Sequence, residues 1–385
     1  MKILHTSDWH LGRSLHGYSL LEDQAFVLKQ LLAVIEEEQV DLLLIAGDIY
    51  DKTIPSEGAV ELFNDFISQV TLKYKLDTVI ISGNHDSGER IDFGSKLFMS
   101  QHLYITGKCE KGYQKITVNI KDQEIDVFMI PYIEPCHVRE IAGDESIKRH
   151  DEAIGYLVSK IKEEQREIPT ILVAHAFVTG GELSESERRL SVVGGADLVR
   201  AEHFKDFTYT ALGHLHKRQA MGQRVRYSGS LLKYSTSEAN QKKGYVLLTL
   251  EGNQLKDIEE RALTPKRDVR IIKGSLEEII AGASEDMHKE DYVYVKVEGN
   301  PLQDTTATLR HIYPNILGSE WLEEEKGAQE GENTNSTDFM SAKEKTITEV
   351  FMEFLDFIGE NTFDEEEKAY IQATIKEIEE GKYEA

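Results

Sequence analysis

The sequence predicts a layered α/β domain, then a small α+β module, then helices near its C-terminus. Three observations carry this. Over residues 1–262, apolar runs of strand length alternate with longer segments of helical period. After Pro265 the order becomes strand, helix, strand. Past Trp321 an acidic stretch without apolar period separates the module from two amphipathic segments. The length agrees, because 385 residues exceed what a single core ordinarily serves.

Taken in order, the expected strands of the first domain are Ile3–Ser7, Leu42–Gly47, Thr78–Ser82, Ile171–Ala174 and Tyr209–Gly213. A helix from about Leu21 to Glu38 lies between the first two, with Phe26, Leu28, Leu31, Leu32 and Ile35 on one face. Such alternation implies a layered sheet. Gln114–Ile120 and Ile125–Ile130 flank Lys121-Asp122-Gln123-Glu124 and read as a hairpin. An antiparallel set, Val225–Ser228 with Gly244–Leu250, is expected to close the domain near residue 262. The module at 265–315 comprises Val269–Ile272, a helix from Leu276 to about Ala283, and Tyr292–Val297. Residues 321–340 read as an acidic linker, and 341–385 as a helical pair. Ile347, Val350, Phe351, Phe354, Leu355 and Ile358 recur at helical spacing in its first half. Thr362 and Glu365 form a capping box before Ile371, Ile375 and Ile378 in its second.

Composition excludes several classes. With 40% hydrophobic and 29% charged residues the chain is expected to be globular, neither disordered nor membrane-spanning. No signal peptide is read at Met1-Lys2-Ile3-Leu4-His5, and two cysteines make no disulfide framework, so a reducing cytoplasm is expected. A net charge of −25 argues against a nucleic-acid partner. That charge is unevenly placed, however: from Trp321 onward there are 6 basic and 19 acidic side chains. Bound divalent cations would offset more of it.

Five short segments hold the chemistry, and their key residues fall at expected strand ends. They are Asp8-Trp9-His10, Gly47-Asp48-Ile49-Tyr50-Asp51, Gly83-Asn84-His85-Asp86, His175, and Gly213-His214-Leu215-His216. Ligands of open α/β sheets gather at the carboxyl ends of strands. Singly, each segment has a plain structural reading. Asp8 or Asp48 could cap a helix, His175 could be a core histidine, and Gly83-Asn84 could be a turn. Jointly they supply aspartate, asparagine and histidine without cysteine, a donor set suited to Mn2+, Fe2+ or Zn2+.

In this order D-x-H, G-D-x-x-D, G-N-H-D, a distal histidine and G-H-x-H resemble the motifs of calcineurin-like metallophosphoesterases. The longer runs His5–Arg13 and Gly83–Arg90 resemble those of nuclease subunits from SbcCD-type complexes. The resemblance implies an α/β/β/α metallophosphoesterase sandwich at 1–262 with a small α+β capping domain. It implies one metal ion held by Asp8, His10, Asp48 and His216, and a second by Asp48, Asn84, His175 and His214. Asp48 would bridge the pair, most simply of Mn2+, and a water between them would attack the phosphodiester. His85 would stand beside the scissile phosphate as proton donor or charge stabiliser, with Asp86 either orienting it or capping a turn. Asp51 occupies a position where some relatives carry histidine, so it is read as neighbouring the site or facing substrate.

The implied function is 3′→5′ exonuclease action on duplex DNA and endonuclease action on single strands and hairpins, in a homodimer. DNA contacts are less legible. Arg13 and Arg90 stand in loops beside ligand residues and are taken as DNA-binding candidates, against salt bridges on a solvated loop. The terminal helices are expected to dock on the coiled coil of the ATPase subunit SbcC, since this chain has no phosphate-binding loop of its own. Folding back on their own enzyme is the alternative. Two rival functions stand beside the nuclease: a phosphoesterase of the same fold acting on small phosphoesters or phosphoproteins, and a catalytically silent scaffold.

Overall fold

The computed structural model describes residues 1–108, 110–187, 198–299 and 305–322. The expected linker beyond Leu322 and the terminal helices lie outside the described residues. The chain divides into a first unit, Met1–Glu324, and a second, Glu325–Ala385, and the described residues all belong to the first.

Two six-stranded sheets pack face to face. In the first the order is Gln254–Ala262, Gly244–Glu251, Lys2–Thr6, Leu42–Ala46, Asp77–Ile81, Leu103–Thr106. The last four run parallel, in the register Ile3 with Leu42 and Leu42 with Asp77. The second runs Gln219–Ala220, Val225–Tyr227, Tyr209–Gly213, Thr170–His175, Gln123–Ile130, Gln114–Ile120, parallel except at both edges.

Alternation along each strand explains the layers. Leu42, Leu44 and Ala46 point between the sheets with Val79, Ile81, Val127, Met129, Ile171 and Val173. Leu43 and Ile45 point the other way, under the helices Leu21–Glu37 and Glu57–Ser68. A strand buried on both faces must be apolar throughout, which is why Leu42–Ala46 is an unbroken run. Phe128, Leu172 and Leu212 play the outward part in the second sheet, beneath the helix His150–Glu163.

Several expectations are corrected. Val225–Tyr227 and Gly244–Glu251 do not pair with each other. The former lies parallel to Tyr209–Gly213 in the second sheet, the latter antiparallel to Lys2–Thr6 in the first. Gly244–Glu251 is buried along both faces and therefore belongs inside a sheet; its hairpin partner is Gln254–Ala262. In the first hairpin the turn is Lys121-Asp122 alone, both at positive φ (52° and 63°), because a two-residue turn matches the twist of its strands. On the helix Leu21–Glu37 the buried stripe includes Asp23, Gln24 and Val27, and Phe26 is exposed.

The small module is a three-stranded parallel sheet, Val269–Ser275, Tyr292–Glu298 and Ile316–Leu322, with the helices Leu276–Gly282 and Thr305–Arg310. Its third strand extends past residue 315. A buried anchor holds it to the first domain. Arg267 donates to both carboxylate oxygens of Asp23 (3.0 and 2.6 Å), and the Tyr292 hydroxyl donates to the same group (2.9 Å).

Candidate metal centre

Each parallel strand ends in a loop at one rim of the sandwich, and three loops of the first sheet are zipped together. Asp8 N–H donates to Gly47 O and His10 N–H to Asp48 O, both at 3.0 Å. Trp9 fastens the first loop, with its indole buried edge-on against Phe66 (centroids 4.9 Å) and its N–H on Thr6 Oγ1 (2.9 Å). The Asp86 carboxylate joins the other two loops by accepting N–H bonds from Ile49, Tyr50 and Gly83 at 2.9–3.1 Å. Of its two expected roles, Asp86 therefore takes the turn-binding one.

The backbone is bent sharply where the side chains must converge. Asp8 (φ 54°), His10 (46°), Asp48 (51°) and His214 (110°) all lie at positive φ, which costs roughly 1–2 kcal/mol for a residue bearing a Cβ. Such strain persists only where surrounding contacts hold it, and it collects at functional sites. Two glycines make room. A Cβ on Gly47 (φ 89°) would stand 2.4 Å from His175 Nδ1, and one on Gly83 would stand 2.2 Å from Asp48 Oδ1.

All seven expected ligand side chains meet at this rim. His10 Nε2 and His216 Nε2 are 2.9 Å apart, and Asp8 lies with them. Asn84 Oδ1 faces His175 Nε2 (3.0 Å) and His214 Nδ1 (3.2 Å). Asp48 Oδ2 stands between the groups, 3.6 Å from His10 Nε2 and 3.5 Å from His175 Nε2, while Oδ1 accepts the His85 N–H (2.8 Å). The carboxylate thus offers one oxygen to both groups, rather than one oxygen to each.

Electrostatics agree with a cation-binding role. Burial and the Asp48 charge push the Asp8 carboxyl well above its usual range. Burial and neighbouring imidazoles push His10 and His214 well below theirs, and burial brings His175 and His216 down to about 4. Two crowded carboxylates and four neutral imidazoles, all buried, form a set that lacks positive charge and offers lone pairs. Divalent cations supply the one and accept the other. No thiolate is present among the seven, which fits a borderline or hard ion.

The remaining candidates are distributed as follows. His85 packs edge-on against His10 (centroids 4.6 Å), and its Nδ1 lies 2.9 Å from the Asp51 carbonyl oxygen. That oxygen only accepts, so Nδ1 carries a proton. Asp51 also lies 3.3 Å from Arg13 Nη1 and 3.8 Å from His10 Nδ1. The guanidinium of Arg13 stacks on Tyr234 (5.0 Å) and donates to Ser186 O (2.9 Å), so much of its bonding is spent inside the chain. Arg90 is exposed on the one-turn helix Gly88–Ile91, adjoining the Asn84 loop.

A polar group behind His216, buried except for the half-buried Ser186, carries no sequence motif. It comprises Ser186, Glu187, Glu238 and Lys243. Burial pushes Glu187 up to about 7; it would also raise Glu238, but the Lys243 ammonium overrules it and holds that carboxyl well below the usual range. In the sequence these residues sit in polar stretches that read as solvated loops, so no periodicity marks them.

A family model described as calcineurin-like phosphoesterase matches residues 1–218, and one described as type 5 capsule protein repressor C-terminal domain matches 265–357. The D subunit of the nuclease SbcCD from Staphylococcus epidermidis is 37% identical over 320 residues, 82% of this chain and 84% of that relative. Its namesake from Staphylococcus saprophyticus is 36% identical over 321 residues, with the same coverage. Among solved structures, TT1561 of Thermus thermophilus aligns with 66% of this chain and 98% of its own, at 17% identity and a TM-score of 0.39.

Proposed function

This chain belongs to the calcineurin-like phosphoesterase family, in its SbcD branch, and we propose that it is a metal-dependent nuclease that cuts DNA as one subunit of an SbcCD-type complex. The observation that carries this is the meeting of seven oxygen and nitrogen donors from both sheets at one rim, with Asp48 Oδ2 facing both groups. The metal positions would be Asp8, His10, Asp48 and His216 for one ion, and Asp48, Asn84, His175 and His214 for the other, with Mn2+ as the physiological pair. When bound, such ions supply a water of lowered pKa and positive charge for the pentacoordinate transition state.

The chain's own residues do the rest. Asp8 and Asp48 contribute the negative charge, and the imidazoles bind as neutral donors. His85 is held through Nδ1 by the Asp51 carbonyl, which leaves Nε2 uncommitted to that bond. Nε2 would serve a phosphoryl oxygen or the leaving O3′ as charge stabiliser or proton donor. Arg90 is free to meet a phosphate; Arg13 would do so only by giving up part of its internal bonding.

In the full assignment, residues 1–262 form the nuclease domain, 265–315 carry most of the cap, whose third strand runs on through Leu322 in place of the first two residues of the expected 321–340 linker, the rest of that stretch links, and 341–385 dock on SbcC. The activity is 3′→5′ exonuclease on duplex ends and endonuclease on single strands and hairpins, in the cytoplasm. No helix among the described residues is long and apolar enough to cross a membrane. Homodimerisation draws support from Phe93, Leu97, Phe98 and Met99, which stand exposed within seven residues of chain.

The test is cleavage of end-labelled hairpin and linear duplex DNA, with and without Mn2+ and SbcC, beside p-nitrophenyl phosphate esters. Mn2+-dependent cutting of DNA supports the nuclease. Turnover of small esters alone would transfer the site to the rival phosphoesterase reading.

A further inference from the structure

His216 is gripped at its backbone N–H, its carbonyl oxygen and its ring Nδ1. Its N–H donates to Glu187 Oε1 (2.6 Å), and its carbonyl oxygen accepts from Lys243 Nζ (2.8 Å). Its ring Nδ1 lies 2.5 Å from Ser186 Oγ, whose hydroxyl reaches Glu238 Oε1. The other Glu238 oxygen meets Lys243 Nζ at 2.5 Å and the Tyr234 N–H at 3.2 Å. Glu238 has no exposed surface.

The proton count of this chain runs one way. An ionised carboxylate only accepts, so the single Ser186 hydroxyl proton must point to Glu238. Ser186 Oγ can then only accept from the imidazole, which puts the ring proton on Nδ1. The lone pair is left on Nε2, the nitrogen that faces His10. We propose that Glu238, acting through Ser186 and held by Lys243, is a positioning residue that fixes the His216 ring and tautomer for metal binding. This rests on the reading of His216 as a ligand.

The other half of the centre is built differently. His175 Nδ1 is fixed by the neutral carbonyl of Ala46 (2.9 Å). The device therefore acts on one metal position and not on both.

Mn2+ is titrated by calorimetry into the metal-free full-length chain, and stepwise affinities are compared with the thermal midpoint of the metal-free protein. Glu238→Gln strands the Lys243 ammonium in the interior, so Ser186→Ala, which leaves the ion pair whole, is the decisive variant. It is expected to weaken one Mn2+ equivalent by about 10-fold or more, as for loss of a partner that orients a ligand histidine. The other equivalent and the thermal midpoint should be unchanged, and Ser186→Thr, which keeps the hydroxyl, should restore the lost affinity. Unchanged affinities in Ser186→Ala overturn the proposal. So does a parallel loss at both steps with a lowered midpoint, which would mark a merely structural role. A wild-type chain that takes up fewer than two equivalents sinks the two-ion reading itself.

Discussion

The two sheets deliver their side chains to the same rim by different means. The first sheet works through its backbone: Asp8, His10 and Asp48 sit at positive φ on loops that hydrogen-bond one another, with Gly83 pressed against Asp48. The second works through its rings: His175 and His216 are aimed by what their far nitrogens touch. The difference teaches that one half of the centre is vulnerable to added bulk and the other to lost hydrogen-bond partners.

The largest test removes what the halves share. Asp48→Asn takes away the charge that faces both histidine groups. Metal uptake should fail, and cleavage should fall beyond about 10^4-fold, more than a single proton-transferring group contributes. Atomic absorption on the purified variant, beside a DNA cleavage assay, checks this. Next comes His85→Gln, which leaves every ligand in place. Mn2+ binding by titration should match the wild type while the cleavage rate falls by about 10^2 to 10^4-fold. Loss of metal along with rate would show that His85 belongs to the donor set.

Gly83→Ala strikes through the first sheet's backbone and reaches the shared carboxylate by bulk alone. Its methyl would need the space of Asp48 Oδ1, so the carboxylate shifts and cleavage should drop on the order of 10^2-fold. Wild-type affinity and rate in this variant would erase the proposed contrast between the sheets.

The mildest test uses pH on the metal-free chain. His175 and His216 at about 4, His5 at about 3, and His10 and His214 also displaced downward all protonate in the unfolded chain near 6.5. Asp8, and Asp86 and Glu187 at about 7, oppose them, because their raised pKa values favour the fold as pH falls. Five histidines outweigh three carboxyls. Stability should thus be greatest above about 6.5 and decline by about 3 kcal/mol per pH unit towards 4, two net protons at about 1.4 kcal/mol each. Thermal unfolding across that range should show the slope, and a flat profile would mean the imidazoles are not buried neutral.

Much of this organisation is legible in the sequence because the donor residues sit at strand ends, and strand ends are marked by β-branched and leucine runs breaking into Gly-Asp or Gly-Asn. Other parts carry no such mark. Leu103–Thr106 is only four residues long, and Ile316–Leu322 contains glycine and serine, so neither reads as a strand. Pattern alone pairs Gly244–Glu251 with the wrong neighbour, because periodicity reports burial and not partners. Glu238 and Lys243 look like solvated charges until the fold encloses them, and Arg13 looks like a free cation until Tyr234 and Ser186 meet it.

One turn of helix joins two distant duties. Asp23 clasps Arg267 and Tyr292 of the small sheet, and its neighbour Gln24 binds the carbonyls of Trp9 (3.1 Å) and His10 (2.8 Å) and the N–H of Gly12 (3.0 Å). Consecutive residues in a helix share a rigid frame. A force that tilts the small sheet against its clasp therefore has no slack segment in which to dissipate. It arrives one peptide unit later at the loop carrying His10, so mechanical load at the periphery and geometry at the rim are read on the same lever.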